Sequence, residues 1–137
     1  MKNTVVTFRA AKGQDKLVVL TAYDYSTARV MDDAGVNALL VGDSLGMVML
    51  GHEDTLSVSM DDMIRHCAAV ARAADQALVI CDMPYMSYHT SVDEAVRNAG
   101  RLVTEGRAKA VKLEGGSEFC DVVKALVRAS IPVMGHL

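Results

Sequence analysis

The side chains able to do chemistry in this chain stand where short apolar runs end. Tyr23-Asp24 follows the first run, Gly42-Asp43-Ser44-Leu45-Gly46 the second and Asp82-Met83-Pro84-Tyr85 the third. The fourth carries Lys112-Leu113-Glu114-Gly115-Gly116, and the fifth closes on Gly135-His136. Lys112 and Glu114 alternate on one extended segment, so their side chains point the same way. If Asp43, Asp82 and Glu114 converge, three negative charges meet one ammonium, which is costly to bury without a further cation. A divalent metal supplies that cation. Oxygen-only donors with several positions left to water or substrate suit Mg²⁺. Taken singly, each acid has another use as the cap of a following helix, and Asp24 is expected to be one.

The elements that must position these residues are legible from period. Apolar runs at 17–22, 36–41, 77–81, 110–113 and 131–135 read as the strands of a parallel sheet. Between them Met60, Met63, Ile64, Cys67, Val70, Ala71 and Ala74 keep helical spacing, as do Phe119, Val122, Val123, Leu126 and Val127. Ser59 and Ser91 each stand three residues before an acid, as in a capping box, and Gly35 can end the first crossover helix. The order is a possible N-terminal helix, then β-α-β-α-β-α-β-α-β. Right-handed crossovers fold that order into an open doubly wound sheet or an arc of a (β/α)₈ barrel, and periodicity does not separate the two. In either fold the strand ends named above share one face, the face where ligands bind. The chain ends on an apolar strand with no helix after it, and a full barrel needs about 250 residues. We therefore expect one partial TIM-type barrel domain over residues 1–137, with five parallel strands and four crossover helices.

Composition narrows the function. The 137 residues carry 14 Lys and Arg against 17 Asp and Glu, a formal net charge of -3, so the basic excess that drives nucleic-acid binding is missing. No apolar segment approaches the roughly 20 residues of a membrane span, and the start lacks a signal-peptide pattern. A soluble cytoplasmic protein is expected. Cys67, Cys81 and Cys120 are odd in number, form no C-x-x-C pair and are expected to be small buried hydrophobes. Of the histidines, His66 falls on a helix pattern, His89 in a polar loop and His52 in a long connecting segment. His136, at a strand end, is the one best placed for function.

With these residues in view, the chain resembles the ketopantoate hydroxymethyltransferase family. The resemblance is carried in order by Thr21-Ala22-Tyr23-Asp24-Tyr25-Ser26, Val41-Gly42-Asp43-Ser44-Leu45-Gly46-Met47, Gly51-His52 with Thr55, Asp82-Met83-Pro84-Tyr85, Val111-Lys112-Leu113-Glu114-Gly115-Gly116 and Pro132-Val133-Met134-Gly135-His136-Leu137. It implies a (β/α)₈ barrel that uses Mg²⁺ to transfer a one-carbon unit from 5,10-methylenetetrahydrofolate to 3-methyl-2-oxobutanoate, giving 2-dehydropantoate for pantothenate synthesis. By motif position Asp43 and Asp82 would ligate the metal, with Glu114 binding it directly or through water. Ser44 and Lys112 would hold the 2-oxo acid, with Asp43 and Asp82 beside it, and His136 would lie close to it. Loss of the C3 proton leaves an enolate, which a chelated Mg²⁺ stabilises as a Lewis acid. The family's general base is a glutamate of the second half of the barrel, so no catalytic base is assignable before Leu137. The family also implies a homo-oligomer, often a decamer. Two other readings stand beside this one: a Mg-dependent 2-oxo acid lyase or mutase of the phosphoenolpyruvate mutase and isocitrate lyase type, and a non-catalytic half-barrel that binds metal or keto acid.

Overall fold

All five apolar runs become strands. The computed structural model describes residues 2–136, in which β1 (Val19–Thr21), β2 (Ala38–Val41), β3 (Leu78–Asp82), β4 (Ala110–Leu113) and β5 (Val133–Gly135) form one parallel sheet. Helices α2 (Tyr25–Asp33), α4 (Met60–Ala73), α5 (Val92–Thr104) and α6 (Cys120–Arg128) make the crossovers. A short helix, α1 (Val5–Ala10), precedes β1.

The strand order is β1-β2-β3-β4-β5, the order of the chain. A doubly wound sheet reverses direction at a switch point. This sheet has none, so the strands trace the arc of a barrel. Alternation then gives the sheet two faces. Leu39, Val41, Val79, Cys81, Val111 and Leu113 point outward into a core built with Met63, Cys67, Val70, Ala99, Leu102 and Leu126 of the crossover helices. Ala38, Leu78, Ile80 and Ala110 point inward, where Val5 and Phe8 of α1 pack on them near the strand starts.

The caps form where polar residues were spaced for them. Asp24 Oδ1 accepts the Thr27 N–H at 2.9 Å and starts α2, while Gly35, at φ 84°, follows the end of that helix in a conformation that costs glycine little. Ser59 and Asp62 close a reciprocal capping box on α4. Ser91 Oγ accepts the Glu94 N–H at 3.1 Å, but the Glu94 carboxylate bonds the Thr90 hydroxyl, so the expected box is only half made.

Two expectations change. The connection after β2 contains an extra helix, α3 (Leu45–Val48), which lacks a side-chain cap and has only four residues to show a period. Cys67 and Cys81 are buried, but Cys120 is exposed, because it opens α6 on the face away from the core. No helix among the described residues is long and apolar enough to cross a membrane.

Candidate active site

The site grows out of strand register. Asp82 on β3 and Lys112 on β4 are direct partners, and both continue the inward series of Ile80 and Ala110. That places their side chains together at the C-terminal rim, where Lys112 Nζ donates to Asp82 Oδ1 at 2.7 Å. The two side chains keep only 12% and 9% of their surface in contact with solvent, so the pair is nearly dry. The pairing Val41↔Cys81, continued by one residue, sets Gly42 in the same layer as Asp82. A Cβ on Gly42 would lie 3.0 Å from Ser44 Oγ and 3.5 Å from Asp82 Oδ2, so the missing side chain leaves this layer open. The Asp43 N–H next along donates to Asp82 Oδ2 at 3.1 Å.

These groups line a cavity of about 290 Å³. Its lining includes the charged side chains of Asp43, Asp82, Lys112 and Glu114 together with Leu56, Tyr85, Tyr88, His89 and Phe119. Burial pushes the Asp43 carboxyl above the usual carboxylate range, and the charges of Asp82 and Glu114 push it further. Burial also raises Asp82, with Lys112 pulling the other way. One ammonium therefore leaves an excess of negative charge in a partly dry pocket.

Glu114 stands farther out. Its carboxylate is 3.9 Å from Lys112 Nζ and 4.0 Å from His136 Nδ1, and it is 60% exposed. Among the described residues no three His, Cys, Asp or Glu side chains gather at metal-ligating spacing. The structure thus brings Asp43, Asp82, Lys112 and Glu114 to one cavity. Ser44 bonds Tyr23 instead, Oγ to phenol oxygen at 2.8 Å, and His136 sits outside the cavity wall on the exposed rim. His66 is structural, its Nδ1 lying 2.7 Å from the Tyr23 carbonyl.

Tyr88, His89 and Phe119 escape the sequence reading, which places His89 in a polar loop and Phe119 on a core helix face. Their rings pack together: Tyr88 to His89 at 4.1 Å and Tyr88 to Phe119 at 5.2 Å between centroids. A signal was present. The chain has six Phe and Tyr in all, and the stretch Tyr85-Met86-Ser87-Tyr88 puts two of them directly after a strand end.

A family model described as ketopantoate hydroxymethyltransferase matches residues 2–137. The chain belongs to this family. Among relatives, a 3-methyl-2-oxobutanoate hydroxymethyltransferase of Enterococcus faecalis is 64% identical over 138 residues, covering 100% of this chain and 50% of the relative. Proteins of the same name from Clostridium novyi and Acetivibrio thermocellus are 61% and 57% identical; the matches cover 100% and 99% of this chain and 50% and 48% of those proteins. This ketopantoate hydroxymethyltransferase family member thus spans about half the length of the curated relatives it matches. Solved structures agree on the fold. A phosphonopyruvate hydrolase in complex with oxalate and Mg²⁺ superposes with a TM-score of 0.79 at 14% identity, over 98% of this chain and 52% of its own. A phosphoenolpyruvate phosphomutase from Streptomyces platensis gives 0.76 at 17% identity, over 97% and 53%.

Proposed function

We propose that the Asp43, Asp82 and Lys112 cavity is the 2-oxo acid site of a 3-methyl-2-oxobutanoate hydroxymethyltransferase, with 5,10-methylenetetrahydrofolate as the one-carbon donor. The observation that carries this is a cavity lining that combines three carboxylates and a single ammonium with the apolar side chains of Leu56, Met83 and Phe119. One ammonium matches one substrate carboxylate, and the apolar lining residues match a branched hydrocarbon tail.

The donor set fits Mg²⁺: carboxylate oxygens only, in excess over the one ammonium, and few enough to leave positions for substrate and water. Asp43 and Asp82 would hold it, with Glu114 on the outer side. Both Asp82 oxygens already accept one bond each, and a carboxylate has about four acceptor positions, so capacity remains. When bound, the ion supplies Lewis-acid polarisation of the substrate carbonyl. Lys112, tied to Asp82, offers a fixed positive charge to the substrate's carboxylate or to the carbonyl oxygen as charge develops there. Tyr23 fixes the Ser44 hydroxyl that would hold the same acid, and His136 faces Glu114 across the rim. A homo-oligomer in the cytoplasm completes the reading.

A second reading has a specific observation behind it, the fold shared with phosphonopyruvate hydrolase and phosphoenolpyruvate phosphomutase. Those names point to doubly anionic substrates. Competition titration in the presence of magnesium separates the two. The hydroxymethyltransferase reading expects 3-methyl-2-oxobutanoate to bind about tenfold tighter than phosphonopyruvate or oxaloacetate; the reverse order overturns it.

A further inference from the structure

We propose that Tyr88 is a ligand-binding residue of this cavity, its phenol O–H donating a hydrogen bond to an oxygen of the bound 2-oxo acid; this rests on the reading of the cavity given above.

The phenol is placed by backbone geometry. The β3–β4 ladder reaches its last regular bond where the Met83 N–H meets the Lys112 carbonyl at 2.8 Å. In a parallel ladder the next N–H of β4 directed at β3 is that of Glu114, two residues on. The chain leaves the sheet at Met83-Pro84, and the Tyr88 phenol oxygen takes the vacant acceptor role, receiving the Glu114 N–H at 3.2 Å. Tyr88 is 6% exposed, with its ring held edge-on by Phe119.

That bond uses one lone pair of the oxygen and leaves the proton. Among the described residues the phenol donates no hydrogen bond; its one bond is the one it accepts from Glu114. A buried phenol that accepts from the backbone and lines a cavity with Asp43, Asp82 and Lys112 is a donor already oriented, which is what recognition of an oxyanion requires. The loop beneath is equally fixed. Ser87 bonds the Pro84 carbonyl through its N–H at 3.0 Å and its hydroxyl at 2.7 Å, and Asn98 Nδ2 donates to the Ser87 carbonyl at 2.8 Å. Met86 holds φ 67°, uncommon for a residue with a side chain, and its N–H donates to His89 Nδ1 at 3.1 Å.

Tyr88→Phe keeps the ring and removes the donor. Isothermal titration of the full chain is expected to show magnesium affinity within about twofold of wild type and 3-methyl-2-oxobutanoate affinity, measured with magnesium present, weakened about tenfold or more, the scale of one bond to a charged group. Equal losses for the two ligands would mean that the phenol only braces Glu114, and unchanged affinities would mean that it touches no ligand; either overturns the proposal. In the wild-type chain the Tyr88 ¹³Cζ resonance is expected to move when the 2-oxo acid is added and not with magnesium alone. An unmoved resonance overturns the proposal even if the variant does not fold. Failure of the wild-type chain to bind the acid overturns the cavity reading and this proposal together, whereas wild-type binding that Tyr88→Phe leaves intact overturns Tyr88 alone.

Discussion

Lys112 Nζ and Asp82 Oδ1 lie 2.7 Å apart because their Cα atoms are register partners on neighbouring parallel strands. The pair is nearly buried, so removing one member strands the other's charge. Lys112→Ala is expected to cost about 3 kcal/mol in urea unfolding, and adding Asp82→Asn is expected to recover most of it. If the double variant is no more stable than Lys112→Ala, the pair is not the cause.

Asp43 behaves in the opposite sense. Burial and the Asp82 and Glu114 charges raise its carboxyl in the folded chain, so the fold holds the Asp43 proton more tightly than the unfolded chain does. The stability this gives is present at low pH and is lost as pH rises through the folded value. Asp43→Asn should therefore raise the melting temperature of the metal-free chain by about 1–3 °C at about pH 7 and by nothing at about pH 3, while weakening magnesium binding at least about tenfold. A lower melting temperature at neutral pH would contradict the electrostatic account.

Asp32 tests the frame away from the cavity. It is 5% exposed, and its carboxylate accepts the N–H groups of Asp75, Gln76 and Ala77 at 2.7 to 3.3 Å, tying α2 to the turn that leads into β3. Asp32→Ala leaves three donors without partners and should cost about 2–4 kcal/mol in chemical denaturation. Magnesium affinity should not change in samples that remain folded.

What sequence could and could not show follows from distance along the chain. Period places the strands and long crossover helices, and parallel topology sends Asp43, Asp82, Lys112 and Glu114 to one rim without any contact being known. Barrel arc and open sheet share that local pattern, and only the order of pairing distinguishes them. Tyr88 on Glu114, Tyr23 on Ser44 and Asp32 on the turn at Asp75 join residues 26, 21 and 43 positions apart, with no periodicity to announce them. The four-residue α3 is invisible for a related reason: it is too short to show a face.

The central claim is that one cavity takes a divalent ion and a 2-oxo acid together. Titrating magnesium into the chain with and without saturating 3-methyl-2-oxobutanoate tests it most directly, since shared oxygens make each ligand strengthen the other by the same factor. The account predicts that the acid tightens magnesium binding about tenfold and that Asp82→Asn abolishes the coupling. Magnesium affinity indifferent to the acid, in a wild-type chain that binds both, would contradict it.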